Sequence, residues 1–330
     1  MQQAAFVTGG SGFIGGALVR RLVADGWRVR ALARSDASAD SVADRGAEVV
    51  RGDLDDVAAM SAGMRGCEVV FHCAATLGEW GDREAFEHGN VQGTENVLES
   101  ARRAGVTRVV HVGTEAALLA GSPLVMVDES APLRPDSPAL YSSTKAKAEQ
   151  AVIAAAGEDL ETVVVRPRLV WGPGDTTITP VLVDSVRSGR FAWIGGGRHM
   201  TSTTHVDNVV EGLVLAAERG ASGAAYFVTD GEPIEFRDFV TRLLDTQGVE
   251  APKRSVPRGL ARAVAGAGER LWGALPLRGD PPLTRLAFWL SAQEATINIS
   301  RAREELGYEP LRTIEDGMAE LAQENGSAAT

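Results

Sequence analysis

Tyr141 and Lys145 stand four residues apart in Tyr141-Ser142-Ser143-Thr144-Lys145, in a 330-residue chain with three tyrosines and three lysines. On a helix that spacing puts phenol and ammonium on one face, about 6 Å apart along the axis. A phenol titrates near 10 when unperturbed, and a neighbouring cation favours the phenolate, so the pair is a candidate general acid–base. Gly9, Gly12 and Gly15, in Thr8-Gly9-Gly10-Ser11-Gly12-Phe13-Ile14-Gly15, form a second cluster. One glycine is needed where the chain turns at positive φ, one where backbone approaches a pyrophosphate, and one where helix packs on strand. With Phe13 and Ile14 opening a helix whose amino terminus offers N–H donors, the turn is expected to bind a dinucleotide.

The kind of dinucleotide is read at the end of the second strand, Arg30-Ala31-Leu32-Ala33-Arg34-Ser35. Ala33 sits where an acid would hold the adenosine ribose hydroxyls, and Arg34 is suited to a 2′-phosphate, so NADP(H) is favoured over NAD(H). After the third strand, Asp53 is placed to reach the adenine amino group while Leu54 packs on the ring; Asp53 is equally suited to cap the next helix.

The elements that must hold these residues follow from periodicity. Ala4–Thr8, Arg28–Ala33, Glu48–Arg51, Glu68–Ala74, Arg108–Val112 and Thr162–Val165 read as strands, separated by helical stretches that include Asn90–Ala104 and Leu140–Ala156. Such alternation predicts an α/β fold with a doubly wound parallel sheet, a Rossmann fold, and a ligand crevice at the carboxyl ends of its strands. The turn cluster at Trp171-Gly172-Pro173-Gly174 suggests a boundary: residues 1–170 as the dinucleotide domain and 171–330 as a smaller, mostly helical substrate domain, with about 206–229 returning to the sheet. Arg258–Leu275 is amphipathic, with Leu260, Val264 and Leu271 on one side, and is expected to pack that side on the core rather than on a membrane.

Composition limits the alternatives. A net charge of −11 argues against general affinity for nucleic acid or anionic membrane. No uncharged stretch reaches the ~20 residues of a membrane span, and Met1 leads into Ala4–Val7 without a basic leader, so a cytoplasmic enzyme is expected. Cys67 and Cys73 have no zinc-like spacing, nor do the five histidines, and no metal is implied.

With the glycine turn and the Tyr-Lys pair in place, the chain resembles the extended short-chain dehydrogenase/reductase superfamily, of the NAD-dependent epimerase/dehydratase type. The likeness continues through His72-Cys73-Ala74-Ala75, Asn90-Val91-Gln92-Gly93-Thr94, Arg166-Pro167, His205-Val206-Asp207-Asn208 and Leu306-Gly307-Tyr308-Glu309-Pro310. Pro282-Leu283-Thr284-Arg285, followed by Ser300–Pro310, is similar to the 3β-hydroxysteroid dehydrogenase-like branch. The resemblance implies a hydroxyl at the end of the fifth strand, and Thr114 in Val112-Gly113-Thr114-Glu115-Ala116 supplies it in place of the usual Ser-Ser pair. It implies that Tyr141 moves the substrate oxygen's proton, Lys145 holds the nicotinamide ribose, and Thr114 orients that oxygen. By the same resemblance Ala74, Ala75, Pro167 and Val170 flank the cofactor. A homodimer packed through Asn90–Ala104 and Leu140–Ala156 is also implied.

Thr76 and Trp80, on the loop leaving the fourth strand, together with Trp171 and Met200, are expected at the substrate crevice. Their apolar character, with Trp272, Phe288 and Trp289, suits an apolar ketone or secondary alcohol, although Phe288 and Trp289 read equally as core. The expected activity is that of an NAD(P)-dependent alcohol dehydrogenase or carbonyl reductase. A nucleotide-sugar epimerase or dehydratase, and a dinucleotide sensor without chemistry, are the alternatives.

Overall fold

The computed structural model describes residues 2–275, 277 and 279–328. Its main sheet has seven strands: β1 (Ala4–Thr8), β2 (Arg28–Ala33), β3 (Glu48–Arg51), β4 (Val69–His72), β5 (Arg108–Val112), β7 (Glu161–Arg166) and β12 (Ala224–Phe227). A short strand, β6 (Leu124–Val127), intervenes in sequence and joins a second sheet. The main order is β3-β2-β1-β4-β5-β7-β12 and every pairing is parallel. This is the Rossmann arrangement, and the chain reverses direction across the sheet between β1 and β4, which opens a crevice beyond their carboxyl ends. The expected return to the sheet after residue 206 is made by β12, paired with β7.

Both faces of the sheet are covered because side chains alternate along each strand. Ala5 and Val7 pack with α1 (Phe13–Ala24), α2 (Asp36–Ala43) and, later in the chain, α8 (Val206–Arg219). Ala4 and Phe6 pack on the opposite side with α3 (Val57–Met64), α5 (Gly93–Ala104) and α6 (Leu140–Ala154). The helix expected from Asn90 begins earlier: α4 (Arg83–Phe86) runs through a π-turn at Glu87–Gln92 into α5, which ends on Gly105 at φ 73°.

The second sheet, β13 (Ile234–Glu235), β10 (Met200–Thr201), β15 (Ala295–Ile297) and β6, stands over the crevice side. Two small pairs, β8 (Val170–Trp171) with β11 (Thr204–His205) and β9 (Trp193–Ile194) with β14 (Ser255–Val256), link it to α7 (Thr179–Arg187) and α9 (Phe236–Thr246). Helices α10 (Arg258–Ala274), α11 (Arg285–Ala292) and α12 (Ile314–Ala328) complete the described chain. Phe288 and Trp289 are buried in the core.

Helix α10 departs from expectation. Its packed face is Ala261, Ala265 and Gly268, whereas Leu260, Val264 and Leu271 are exposed at 58%, 40% and 48%. Small residues let the helix backbone come close to the turn at Pro281–Leu283, a fit that the leucine side would block. Among the described residues no helix is long and apolar enough to cross a membrane.

Candidate active site

The floor of the site is the aligned carboxyl ends of three strands, where Thr8 of β1 pairs in register with His72 of β4, and His72 with His111 of β5. Gly9 turns the chain at φ 70°, and a Cβ there would lie 2.7 Å from the Ala74 amide nitrogen. A Cβ on Gly15 would collide with the Gly9 carbonyl. Gly12 caps α1 through its backbone, and no side chain occupies the helix terminus. The cradle therefore has the close backbone approach and free first-turn amides at Phe13 and Ile14 that suit a pyrophosphate.

A buried polar chain ties this turn to β4. The Thr8 hydroxyl lies 2.7 Å from His72 Nδ1 and accepts the Ala74 N–H at 3.3 Å. His72 Nε2 lies 3.0 Å from Thr94 Oγ1, whose own proton goes to the Asn90 carbonyl at 2.6 Å. Thr94 must then accept, so His72 carries its proton on Nε2 and accepts from Thr8 on Nδ1. Burial, with the Lys145 charge nearby, lowers His72 to about 3, so the ring stays neutral. His72 and His111 are thus framework residues, and among the described residues no cluster could hold a metal.

Helix α6 carries both Tyr141 and Lys145. Lys145 is buried, donating to the Val112 carbonyl at 2.8 Å and to His111 Nε2 at 3.2 Å. Burial lowers its ammonium to about 8 against the opposing pull of Glu149. Glu149, one turn further along the same face, is itself buried against Arg166, whose Nε donates to it at 2.8 Å. Tyr141 lies one turn before Lys145, its hydroxyl near that of Thr114. Contrary to the expectation of an acidified phenol, burial and the Glu115 carboxylate push Tyr141 above its ordinary value, only partly offset by Thr114. The Lys145 ammonium is turned to Val112 and His111 instead.

Thr114, two residues beyond β5, caps the short turn Glu115–Leu118, accepting the Ala116 N–H at 3.1 Å. Its hydroxyl donates to Glu115 Oε2 at 2.9 Å. Glu115 is buried and its other oxygen pairs with Arg168, a fully buried guanidinium that also donates to Thr201 Oγ1 at 3.1 Å. This Thr114–Glu115–Arg168–Thr201 chain joins β5 to the second sheet and was not singled out from sequence. Its only signal there was a pair of charges, Glu115 and Arg168, each next to an expected site residue in an apolar stretch.

The other expected residues fall as follows. Arg34 is exposed at the end of β2, with no carboxylate partner among the described residues. Arg51 is in register with Ala33 beside it and pairs with Asp36, a second cation at this edge that sequence reading overlooked. Asp53 does not cap α3; it accepts the Asp55 N–H at 2.9 Å, and Asp56 is the cap. Leu54 packs toward Gly93. Ala74 and Ala75 follow β4, half-buried, while the Pro167 carbonyl accepts the Glu115 N–H at 3.3 Å and Val170 lies on β8. Thr76 is clamped by Asn90, which accepts the Thr76 N–H at 2.7 Å and donates to its carbonyl at 3.1 Å and to Thr144 at 3.0 Å. Trp80 is half-buried on the same loop.

Two expected substrate residues stand elsewhere. Trp171 is fully buried, with its indole N–H donating to Asp230 at 2.8 Å and its ring edge-on to His205 and Phe239. Met200 is exposed while its neighbour Thr201 is buried against Arg168, so strand alternation aims Met200 away from that pair.

The chain has counterparts among known proteins. The sequence pattern of the 3-beta hydroxysteroid dehydrogenase/isomerase family matches residues 6–258. The chain belongs to that family. Within the 3-beta hydroxysteroid dehydrogenase/isomerase family and its superfamily, a 4-hydroxy-2-methyl-3-oxo-4-farnesyl-3,4-dihydroquinoline-1-oxide ketoreductase of Stigmatella aurantiaca is 49% identical over 96% of this chain and 95% of its own. A 2-alkyl-3-oxoalkanoate reductase of Stenotrophomonas maltophilia is 38% identical over 96% and 97%. A solved dTDP-glucose 4,6-dehydratase of Streptomyces venezuelae with NAD bound, 25% identical, superposes with a TM-score of 0.73 over 97% of this chain and 95% of that one. The protein is an oxidoreductase whose cofactor class is a nicotinamide dinucleotide.

Proposed function

We propose that this protein is an NADP(H)-dependent ketoreductase that reduces an apolar ketone bearing a long alkyl or prenyl chain to a secondary alcohol. The observation that carries this reading is Tyr141: burial and the Glu115 charge keep the phenol protonated, beside Thr114 and one helical turn from Lys145. A protonated phenol is the form that reduction of a carbonyl consumes. The two similar reductases named above, both acting on 3-oxo compounds with apolar chains, support the substrate class.

When bound, the reduced nicotinamide supplies the hydride. Tyr141 gives its proton to the carbonyl oxygen as that oxygen gains charge, and Lys145, positively charged below about pH 8, stabilises the phenolate left behind. Thr114, held by Glu115 and by the Ala116 N–H, stands beside the Tyr141 hydroxyl and orients it toward the same oxygen. The Gly9–Gly15 turn holds the pyrophosphate, Asp53 and Leu54 the adenine, Ala74, Ala75, Pro167 and Val170 the nicotinamide side, and Arg34 the 2′-phosphate. In this reading residues 1–170 bind the dinucleotide and the later part of the chain covers the substrate, with Thr76 and Trp80 at its mouth.

The test is NADPH oxidation, followed at the nicotinamide absorbance, with 2-alkyl-3-oxoalkanoates, prenylated aromatic ketones, 3-ketosteroids and nucleotide sugars. Turnover of the chain-bearing ketones is expected. Turnover confined to nucleotide sugars, or tight dinucleotide binding without turnover of any of them, would overturn the proposal.

A further inference from the structure

We propose that His111 is the residue that positions the Lys145 ammonium, accepting one of its hydrogens at the floor of the site and leaving a single N–H for the crevice. The part given to Lys145 rests on the function proposed above; the contact itself does not. Alternation along β5 puts His111 with Val109 on the side of the sheet covered by α6, opposite Val110 and Val112. There His111 Nε2 lies 3.2 Å from Lys145 Nζ, and the next residue of the strand offers the Val112 carbonyl at 2.8 Å. Lys145 is buried, out of reach of bulk water, so its hydrogens need protein or ligand acceptors. An ammonium has three hydrogens and no lone pair. Two are used at the floor, and among the described residues Nζ has no further hydrogen-bond partner. The third is the one available to the phenolate that Tyr141 leaves or to a ribose hydroxyl of the dinucleotide.

The tautomer of His111 follows. Because charged Lys145 can only donate, Nε2 must be the bare nitrogen, and the ring proton sits on Nδ1. That nitrogen is buried and has no partner among the described residues. A buried N–H left unpaired is destabilising, and its presence in a fold calls for a reason. Here the reason is Lys145: a proton moved to Nε2 would set N–H against N–H at 3.2 Å and leave the buried ammonium with one acceptor. His72, its ring 5.0 Å from that of His111, does not supply another, since Thr8 and Thr94 engage both its nitrogens. Burial, the Lys145 charge and His72 together hold His111 well below the ordinary histidine range, so the ring stays neutral and keeps its lone pair.

The other titratable groups around the ammonium do not take this part. Cys73, just after β4, is pushed up to about 12 by burial and remains a thiol, and His72 at about 3 remains neutral. Glu149, on α6 itself, attracts Lys145 through space but gives its hydrogen bond to Arg166 of β7. Glu115 is paired with Arg168, and Tyr141 is raised by burial. Lys145 is thus the group of this cluster that titrates near pH 8, and His111 is the neutral acceptor that favours its charged form.

Nitrogen-15 NMR of the imidazoles in the full chain tests the contact without any turnover, the His111 signals being those lost in His111→Gln. A neutral ring with its proton on Nδ1 at neutral pH is expected; a proton on Nε2, or a charged ring, overturns the proposal. The consequence is read from kcat/KM for ketone reduction against pH. His111→Phe keeps a ring and removes the acceptor, so the alkaline fall should move from about pH 8 to about pH 7, a loss of about fivefold at pH 8 and almost none at pH 6. His111→Gln, whose amide oxygen accepts, should return the fall to about pH 8. An unmoved fall in His111→Phe overturns the proposal, as does a loss equal at every pH, which marks a merely structural role. Should His111→Phe not fold, the tautomer in the parent chain decides. A parent chain that reduces no ketone refutes the function proposed above and leaves the tautomer to decide this inference.

Discussion

Replacing Glu115 by leucine would leave the Arg168 guanidinium, fully buried, without its counter-charge, and replacing Arg168 by methionine would strand the Glu115 carboxylate in the same way. Breaking one side of a buried pair costs about 3–5 kcal/mol, since an uncompensated charge remains in the interior. For a chain of this size that is a fall in the unfolding midpoint of roughly 4–7 °C. The double variant Glu115→Leu/Arg168→Met strands neither charge and substitutes side chains of similar volume. Its stability should return to within about 1–2 kcal/mol of the parent, so the two substitutions couple by several kcal/mol. Urea unfolding followed by tryptophan fluorescence gives all four corners of the cycle. Activity should not return with stability, because Thr114 has still lost the carboxylate that holds its hydroxyl. If the single costs simply add in the double variant, the pair is not the unit described here; if the double variant recovers full activity, Glu115 does not position Thr114.

Arg34→Ala should weaken NADPH about 10–100-fold while NADH changes little, as expected for one charge-assisted contact at an exposed site; Arg51→Ala should do less, since Arg51 is already paired with Asp36. Equal losses of both cofactors in titrations of nicotinamide fluorescence would remove Arg34 from the 2′-phosphate. The free protein's kcat/KM should fall above pH about 8, where Lys145 loses its proton, rather than at the titration of Tyr141, which burial holds higher. For stability the sign is opposite: the folded chain holds the Lys145 proton less tightly than the unfolded one, so this group opposes folding below pH about 8 and is relieved as pH rises towards 10.5. A pH–rate profile flat to pH 10 would contradict the placement of that charge.

Much of the fold was legible because a parallel sheet buried on both faces writes itself as short apolar runs. The expected limits of β1, β2, β3 and β5 agree with the structure to the residue. The glycine turn was legible because Gly9 and Gly15 tolerate no Cβ. What was not legible depends on partners distant in sequence. Periodicity showed that Leu260, Val264 and Leu271 share a side of α10, but not that Ala261, Ala265 and Gly268 would be chosen for packing. Trp171 reads as a crevice residue until Asp230, fifty-nine residues on, is seen to accept its indole N–H. The Glu115–Arg168 pair spans fifty-three residues, and burial together with the Glu115 charge raises Tyr141, the reverse of the shift that Lys145 alone suggested.

The most direct test of the catalytic assignment is Tyr141→Phe, assayed for NADPH binding and for reduction of a 2-alkyl-3-oxoalkanoate. The ring and its packing are kept and only the proton-bearing oxygen is removed. Binding within about twofold of the parent, with kcat reduced at least about a hundredfold, is the predicted result. Turnover close to that of the parent would contradict the account, because the proton would then have another source.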